Sequence, residues 1–227
     1  MQETKVGDAE FPVQEFASLG YHVAFCGNKQ YNGVATAARQ KPNKVVHGLN
    51  TEPGDPERIV TSVYGELVII NAYVPQGRDK ENPQFAYKLE WLNRLGKYLQ
   101  QNFSPREKVV LCGDLNVAPE SIDVHDPKRI LGHVCFNPEV WEAYGKVKSW
   151  GLIDVFRRHH PNEVGQYTFF DYRVRDSVGR NLGWRVDHIL ATEALALISR
   201  SCHIDLPTRL TEKPSDHVVM SAEFKGV

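Results

Sequence analysis

The sequence predicts an α/β (α+β) fold in which two β-sheets pack face to face with helices outside. Three observations carry this. Apolar and β-branched segments bounded by turn residues recur along the whole chain. Two of them, Glu66–Val74 (ELVIINAYV) and Lys108–Cys112 (KVVLC), are almost continuously apolar, as strands covered on both faces are. Helical periodicity is confined to a few segments, too few to cover both faces of one long sheet. That count sets aside the competing single-sheet, doubly wound arrangement.

The elements follow in order. Tyr21–Gly27, Gly33–Ala37 and Arg58–Tyr64 alternate or are β-branched and read as strands, with a breaker-rich loop at Asn50–Pro56 (NTEPGDP). After Glu66–Val74 comes a helix over Gln84–Asn102. Phe85, Leu89, Leu92, Leu95 and Leu99 recur at three- and four-residue steps, and Asn82-Pro83 supplies an N-cap and a first-turn proline. The strand Lys108–Cys112 precedes a second helix over Pro138–Trp150, stopped by Gly151. Strands at Tyr167–Phe170, Val186–Ala191 and Val218–Phe224 and a short helix at Thr192–Ile198, with Thr192 as N-cap, complete the pattern.

Composition bounds the function. The chain has 227 residues, 41% apolar and 24% charged, enough to bury a core and incompatible with disorder as the main state. We expect one domain over residues 1–227. No apolar run approaches the ~20 residues of a membrane span, and MQETKVGDAEFP lacks the apolar stretch of a signal peptide. Basic residues number 27 against 28 acidic, a net charge of −1. This excludes coating of nucleic acid or an anionic membrane by bulk charge, but allows a basic patch beside an acidic metal pocket. Cys26, Cys112, Cys135 and Cys202 form no CxxC pair and fit no zinc spacing, and read as reduced, mostly buried thiols.

Reactive side chains gather at strand ends. Asp114 and Asn116 alternate past Leu115 at the end of Lys108–Cys112, where an Asx-turn is the simpler account of the pair. Asn71 and Tyr73 share one face of their strand, aimed into a cleft or packed within a sheet. Ser215-Asp216-His217 precedes the last strand, as an anion-contacting imidazole beside a carboxylate or as a local cap. Asp187 and Ile189 face one side of their strand, while Val186 and His188 face the other; Asp187 alone suits a strand-edge ion pair, and His188 a packed or surface position. Gln2-Glu3-Thr4 in isolation is a solvated terminus.

Taken together, Q-E-T, N-x-Y-x-P-x-G, G-D-x-N, R-x-D and S-D-H, in this order and spacing, resemble the exonuclease III family of DNA-repair nucleases. Tyr31-Asn32-Gly33-Val34-Ala35, Ser149–Asp154, Phe170–Arg173 and Gly183-Trp184-Arg185 extend the resemblance over essentially the whole chain. It implies a four-layer α-β-β-α sandwich of two packed mixed sheets. It implies hydrolysis of phosphodiesters in double-stranded DNA by a site activated by Mg²⁺ or Mn²⁺, cleaving 5′ to abasic sites and removing nucleotides or blocking groups from 3′ ends. Glu3 then matches a metal ligand, and Tyr73 a residue touching the scissile phosphate. Asp114 matches the residue that orients or deprotonates the attacking water, and Asn116 the donor to the oxyanion. Asp187 matches a carboxylate near the catalytic centre. Asp216 matches a carboxylate that pairs with the His and reaches the metal, and His217 the imidazole donating to phosphate. Asp114, Asn116 and His217 also fall within the implied metal set, and the general base stays open between Asp114 and His217.

The DNA-facing residues implied are Asn32, Asn71, Gln76, Arg78, Phe169, Phe170, Arg173 and Arg185. Between Arg157 and Arg185 there are six arginines (157, 158, 173, 175, 180, 185) against three acids (163, 171, 176), a basic rim whose phosphate contacts would weaken with salt. Phe169-Phe170 stands where the family has a Trp followed by an aromatic. Relative to the family pattern, the N-terminal strand and first helix are missing before Met1, and we expect the domain to be N-terminally truncated. The implied setting is cytoplasmic (nucleoid-associated if bacterial), as a monomer and without a membrane. Two other readings stand beside the leading one. One is another phosphoesterase of the same fold, acting on RNA, inositol phosphates or sphingolipid. The other is a non-catalytic DNA- or partner-binding remnant.

Overall fold

A six-stranded mixed sheet runs through the middle of the computed structural model, which describes residues 1–29 and 31–226. Its strands are β3 (Lys44–His47), β4 (Ile59–Tyr64), β5 (Leu67–Tyr73), β6 (Lys108–Asp114), β7 (Leu152–Asp154) and β8 (Asp187–Thr192), ordered β3-β4-β5-β6-β8-β7. Only β5 and β6 run parallel; every other neighbouring pair is antiparallel. The parallel pair is joined by helix α2 (Pro83–Asn102), capped by the Asn82 side chain accepting from the Gln84 N–H at 3.0 Å.

Alternation sorts the sheet's two faces. Val68, Ile70 and Ala72 of β5 and Val109 and Leu111 of β6 meet Trp91, Leu92, Leu95 and Leu99 of α2 and Val140, Tyr144 and Val147 of α3 (Pro138–Lys148). Each of the four α2 side chains is essentially fully buried; burying one stabilises the fold by roughly 1.5–3 kcal/mol. The opposite face presents Leu67, Ile69, Val110, Cys112, Ile189 and Ala191.

The second layer covers that opposite face as two separate antiparallel hairpins. One is β1 (His22–Asn28) with β2 (Tyr31–Ala38); the other is β9 (Ser199–Asp205) with β10 (Val219–Phe224). The first packs against β4 and β5 and the second against β8. Helix α1 (Val13–Ser18) closes the outer side of β1, where Phe11 stacks on both Phe16 and Phe25. Between the hairpins lies a trench floored by Leu67, Ile69, Val110, Cys112 and Ile189. At its mouth Met1 and Gln2 pair with β2: the Met1 amine donates to the Ala35 carbonyl at 2.9 Å, and the Ala35 N–H to the Met1 carbonyl at 3.0 Å.

The two-sheet sandwich with outer helices is as expected, with differences of detail. Tyr167–Phe170 joins no ladder; Phe169 alone bridges to Trp184 and to His217. The short helix contracts to Glu193–Ala196, and Thr192 does not cap it, because its hydroxyl donates to the Glu107 carbonyl at 2.7 Å. Among the described residues no helix is long and apolar enough to cross a membrane.

Candidate active site

Register across the central sheet sets three functional side chains in a row. Tyr73, the last residue of β5, lies opposite Asp114, the last of β6, and Asp114 lies opposite Asp187, the first of β8. All three alternate onto the face away from α2, at the open end of the sheet. Gly113 lets the strands approach there. Its φ is +128°, and a Cβ would stand 2.2 Å from the Ala72 carbonyl oxygen.

The chain turns after Asp114 through Asn116, a left-handed residue at φ +52°. Asp114 Oδ1 accepts from the Asn116 backbone N–H at 2.9 Å, so the turn is also an Asx-turn. Asn116 Nδ2 donates to Asp114 Oδ2 at 2.9 Å and to the Val74 carbonyl at 3.1 Å, and its Oδ1 faces the Cys135 thiol at 3.7 Å. Flipping the amide would turn its oxygen toward two other acceptors, so these contacts fix the Nδ2 side toward Asp114.

His217 closes the row from the loop before β10. Its Nδ1–H donates to Asp187 Oδ2 at 2.8 Å. Glu3 enters from the amino-terminal segment in a left-handed conformation (φ +53°), accepting from the Tyr73 hydroxyl and pairing with Lys5 Nζ at 2.7 Å. Glu3, Tyr73, Asp114, Asn116, Asp216 and His217 border one cavity of about 130 Å³, with Phe169 and Trp184 on its wall. The Phe169 ring stands 5.1 Å from the His217 ring.

The site's electrostatics follow from burial of like charges. Burial pushes the Asp114 carboxyl well above the usual range, and the Asp187 and Glu3 charges add to this against the opposing pull of His217 and the Asn116 N–H. Burial alone would lower the His217 imidazole, but Asp187, Asp114 and Asp216 outweigh it and push it up to about 10. Burial, then the Glu3 carboxylate, raises Tyr73, which is a neutral phenol donor. Glu3 itself is held low despite burial by its bonds from Lys5 and Tyr73.

These residues suit a hard divalent cation. Asp114, Asp187 and His217 each offer a ligand atom within 4.8 Å of the others. A buried carboxyl that resists ionisation among other carboxylates is the setting a cation neutralises, and oxygen donors match Mg²⁺ or Mn²⁺. An imidazolium has no lone pair to give, so His217 in the metal-free protein is a donor to anions.

The endonuclease/exonuclease/phosphatase family model matches residues 1–217. This chain belongs to that family. It is 34% identical to an exodeoxyribonuclease III from Haemophilus influenzae, over 99% of this chain and 88% of the relative. Its backbone is similar to an AP endonuclease from Archaeoglobus fulgidus (TM-score 0.97, 48% identity, covering 99% of this chain and 87% of that one). It is also similar to a 3′ phosphatase from Neisseria bound to a product DNA hairpin (TM-score 0.94, 34% identity, 99% and 87% covered).

Within this exonuclease III-like member of the family, several expected site residues lie elsewhere. Asp216 borders the cavity but does not pair with His217; Asp187 does. Arg185 is fully buried, bonded to Asp123 at 2.7 Å, to Asp154 at 2.9 Å and to His188 at 3.1 Å. It cannot touch phosphate. Arg157 joins the same interior network through Asp123. Phe170 turns inward onto Tyr167 and Val218, because the residue after a wall-facing Phe169 points the other way. Asn71 is buried between the hairpin and the sheet, accepting from Gln2 at 2.5 Å and donating to the Ala35 carbonyl at 3.0 Å. Asn32 stands at 3.4 Å from Glu57, away from the cavity. Arg173 is exposed but held by both Asp171 oxygens. Gln76 reaches the cavity, and Arg78 stays exposed beside it.

Four neighbours were given no role in the site from sequence. Lys5 pairs with Glu3, Arg58 lies over the Tyr73 ring at 5.0 Å, and Cys135 and Trp184 border the cavity. Only Lys5 had a local signal, two residues beyond Glu3.

Proposed function

We propose that the protein is a divalent-metal-dependent DNA-repair phosphodiesterase that cleaves duplex DNA 5′ to abasic sites and clears nucleotides or blocking groups from 3′ ends. The observation that carries this is the row Tyr73–Asp114–Asp187 closed by a protonated His217. The relatives' names, an exodeoxyribonuclease III, an AP endonuclease and a 3′ phosphatase, support the same reading.

A bound Mg²⁺ or Mn²⁺ would neutralise charge on the phosphate and the leaving oxygen. Glu3, Asp114, Asp187 and Asp216 would supply its oxygen ligands. The chain's own groups then divide the remaining work. His217 Nε2 makes no hydrogen bond among the described residues and is aimed to donate to a phosphate oxygen. Asp187 holds that ring in place and keeps it charged. The Tyr73 hydroxyl, at present donating to Glu3, adds a neutral donor. Asp114 orients the attacking water, and Asn116 fixes Asp114 through two hydrogen bonds. Phe169 and Trp184 form an apolar wall that suits a sugar lacking its base.

Incubation of the chain with a duplex carrying one abasic site tests the proposal. Incision that requires Mg²⁺ or Mn²⁺ and stops on chelation is expected; absence of incision and of 3′ processing at saturating metal overturns it.

A further inference from the structure

We propose that Lys88 is a positioning residue of this active site, its buried ammonium tying together the three loops that carry Gln76, Asn116 and Cys135. The inference rests on the nuclease reading above. Lys88 leaves α2 toward the open end of the sheet and is fully buried. Its Nζ donates to the carbonyls of Asn116 at 2.6 Å, Val134 at 2.7 Å and Gln76 at 3.2 Å, and the Cys135 sulfur lies 3.8 Å away. A lysine ammonium has three protons, and three carbonyls take them.

Those carbonyls come from three different segments. Gln76 lies in the loop between β5 and α2 and reaches the cavity. Asn116 follows β6 and bonds Asp114. Val134 precedes Cys135, whose thiol meets the Asn116 amide oxygen. One side chain therefore reaches the backbone of Asn116 directly and its side chain through Cys135. The first loop is shaped around the lysine stem: Gly77 adopts φ +99°, and a Cβ there would stand 3.3 Å from Lys88 Cδ.

Every hydrogen-bonding partner of this ammonium is uncharged. Burying a cation against carbonyls and a thiol, with no carboxylate bonded to it, is costly. A group retained there sets geometry: without it Asn116, already left-handed, loses the anchor of its carbonyl, and Asp114 loses the orientation Asn116 gives it.

Lys88→Met keeps the stem and removes the donors; Lys88→Gln keeps two. Arg94→Met is the control, since Arg94 is buried on the same helix but pairs with Asp55 and Glu90 away from the cavity. On an abasic duplex at saturating Mg²⁺, Lys88→Met is expected to lower kcat about a hundredfold with KM within about threefold. Lys88→Gln should recover part of the loss, and Arg94→Met should leave kcat of the folded fraction unchanged. The side-chain amide protons of Asn116 give a reading without turnover. Held against Asp114 and Val74, they should give NMR signals displaced from the positions of a free amide, which Lys88→Met shifts back and Arg94→Met leaves in place. A parent chain that does not cleave sinks the nuclease reading and leaves the NMR measurement to decide this one. Unmoved Asn116 signals, a kcat within about threefold of the parent's, or failure of both Lys88 variants to fold each overturn the positioning role.

Discussion

His217 owes its charge to Asp187. The imidazole is enclosed, which by itself favours the neutral ring, and a carboxylate 2.8 Å from Nδ1 reverses that preference. Asp187→Asn keeps the shape and removes the anion. The His217 pKa should then fall from about 10, read by an NMR titration of the ring protons. At neutral pH kcat should drop by roughly 10²–10⁴-fold, the usual worth of a positioned proton donor. Asp216→Asn, by contrast, should leave most of the His217 shift in place, because Asp216 makes no bond to the ring and acts on it through its charge alone, after Asp187 and Asp114.

Arg185 shows what one element demands of its neighbours. It leads into β8, and its guanidinium joins Asp123, in the loop after β6, to Asp154, at the end of β7. His188, one pair into β8, passes the connection on to the Val117 carbonyl at 2.7 Å. Arg185→Met should therefore cost stability, about 3–5 kcal/mol for a buried pair that loses one partner, measured by chemical denaturation. DNA affinity of the folded fraction should be unchanged. The sequence could not distinguish this interior arginine from a phosphate-binding one, because the partners that neutralise it stand 31 and 62 residues away.

Other elements were legible to different degrees for physical reasons. Helix α2 announces itself because its apolar residues keep helical spacing over 20 residues and its cap is local. Strands β5 and β6 are buried on both faces, so their sequences are apolar throughout. In contrast, β3 is short and mostly exposed, β9 is mostly polar, and β7 has three residues, too few for any period to show. The site row was readable as residues but not as a row. That Tyr73, Asp114 and Asp187 align depends on strand register, which single-strand patterns do not contain. Asn71 and Phe170 were misplaced for a related reason: facing a cleft and facing another layer require the same alternation.

At the scale of the molecule, proton linkage couples site and stability. His217 lies above its ordinary 6.5, so its contribution is complete below that value and is lost as pH rises through about 10. Asp114 is also raised, so its contribution likewise fades as pH climbs through its shifted range. The metal-free protein should lose stability with rising pH from both groups. A divalent cation favours ionised Asp114, so the Tm gain from Mg²⁺ or Mn²⁺ should be larger near about pH 8 than near about pH 5.5. Equal gains would mean that the cation binds away from Asp114. DNA affinity should depend on salt only moderately. With Arg157 and Arg185 interior and Arg173 tied to Asp171, few basic groups near the cavity remain for phosphate. A slope of log K against log salt of roughly −2 to −4 is expected, at about −0.9 per contact.

The pairing of Met1 with Ala35 also governs how the protein can be handled. Because the Met1 amine already points into the trench, any affinity tag joined there must thread between the hairpins, past the floor of Cys112 and Ile189. A hydrophilic tag would have to strip its backbone of water or prise Met1 and Gln2 from β2. Either would disturb Glu3, one residue further along, before any substrate arrived.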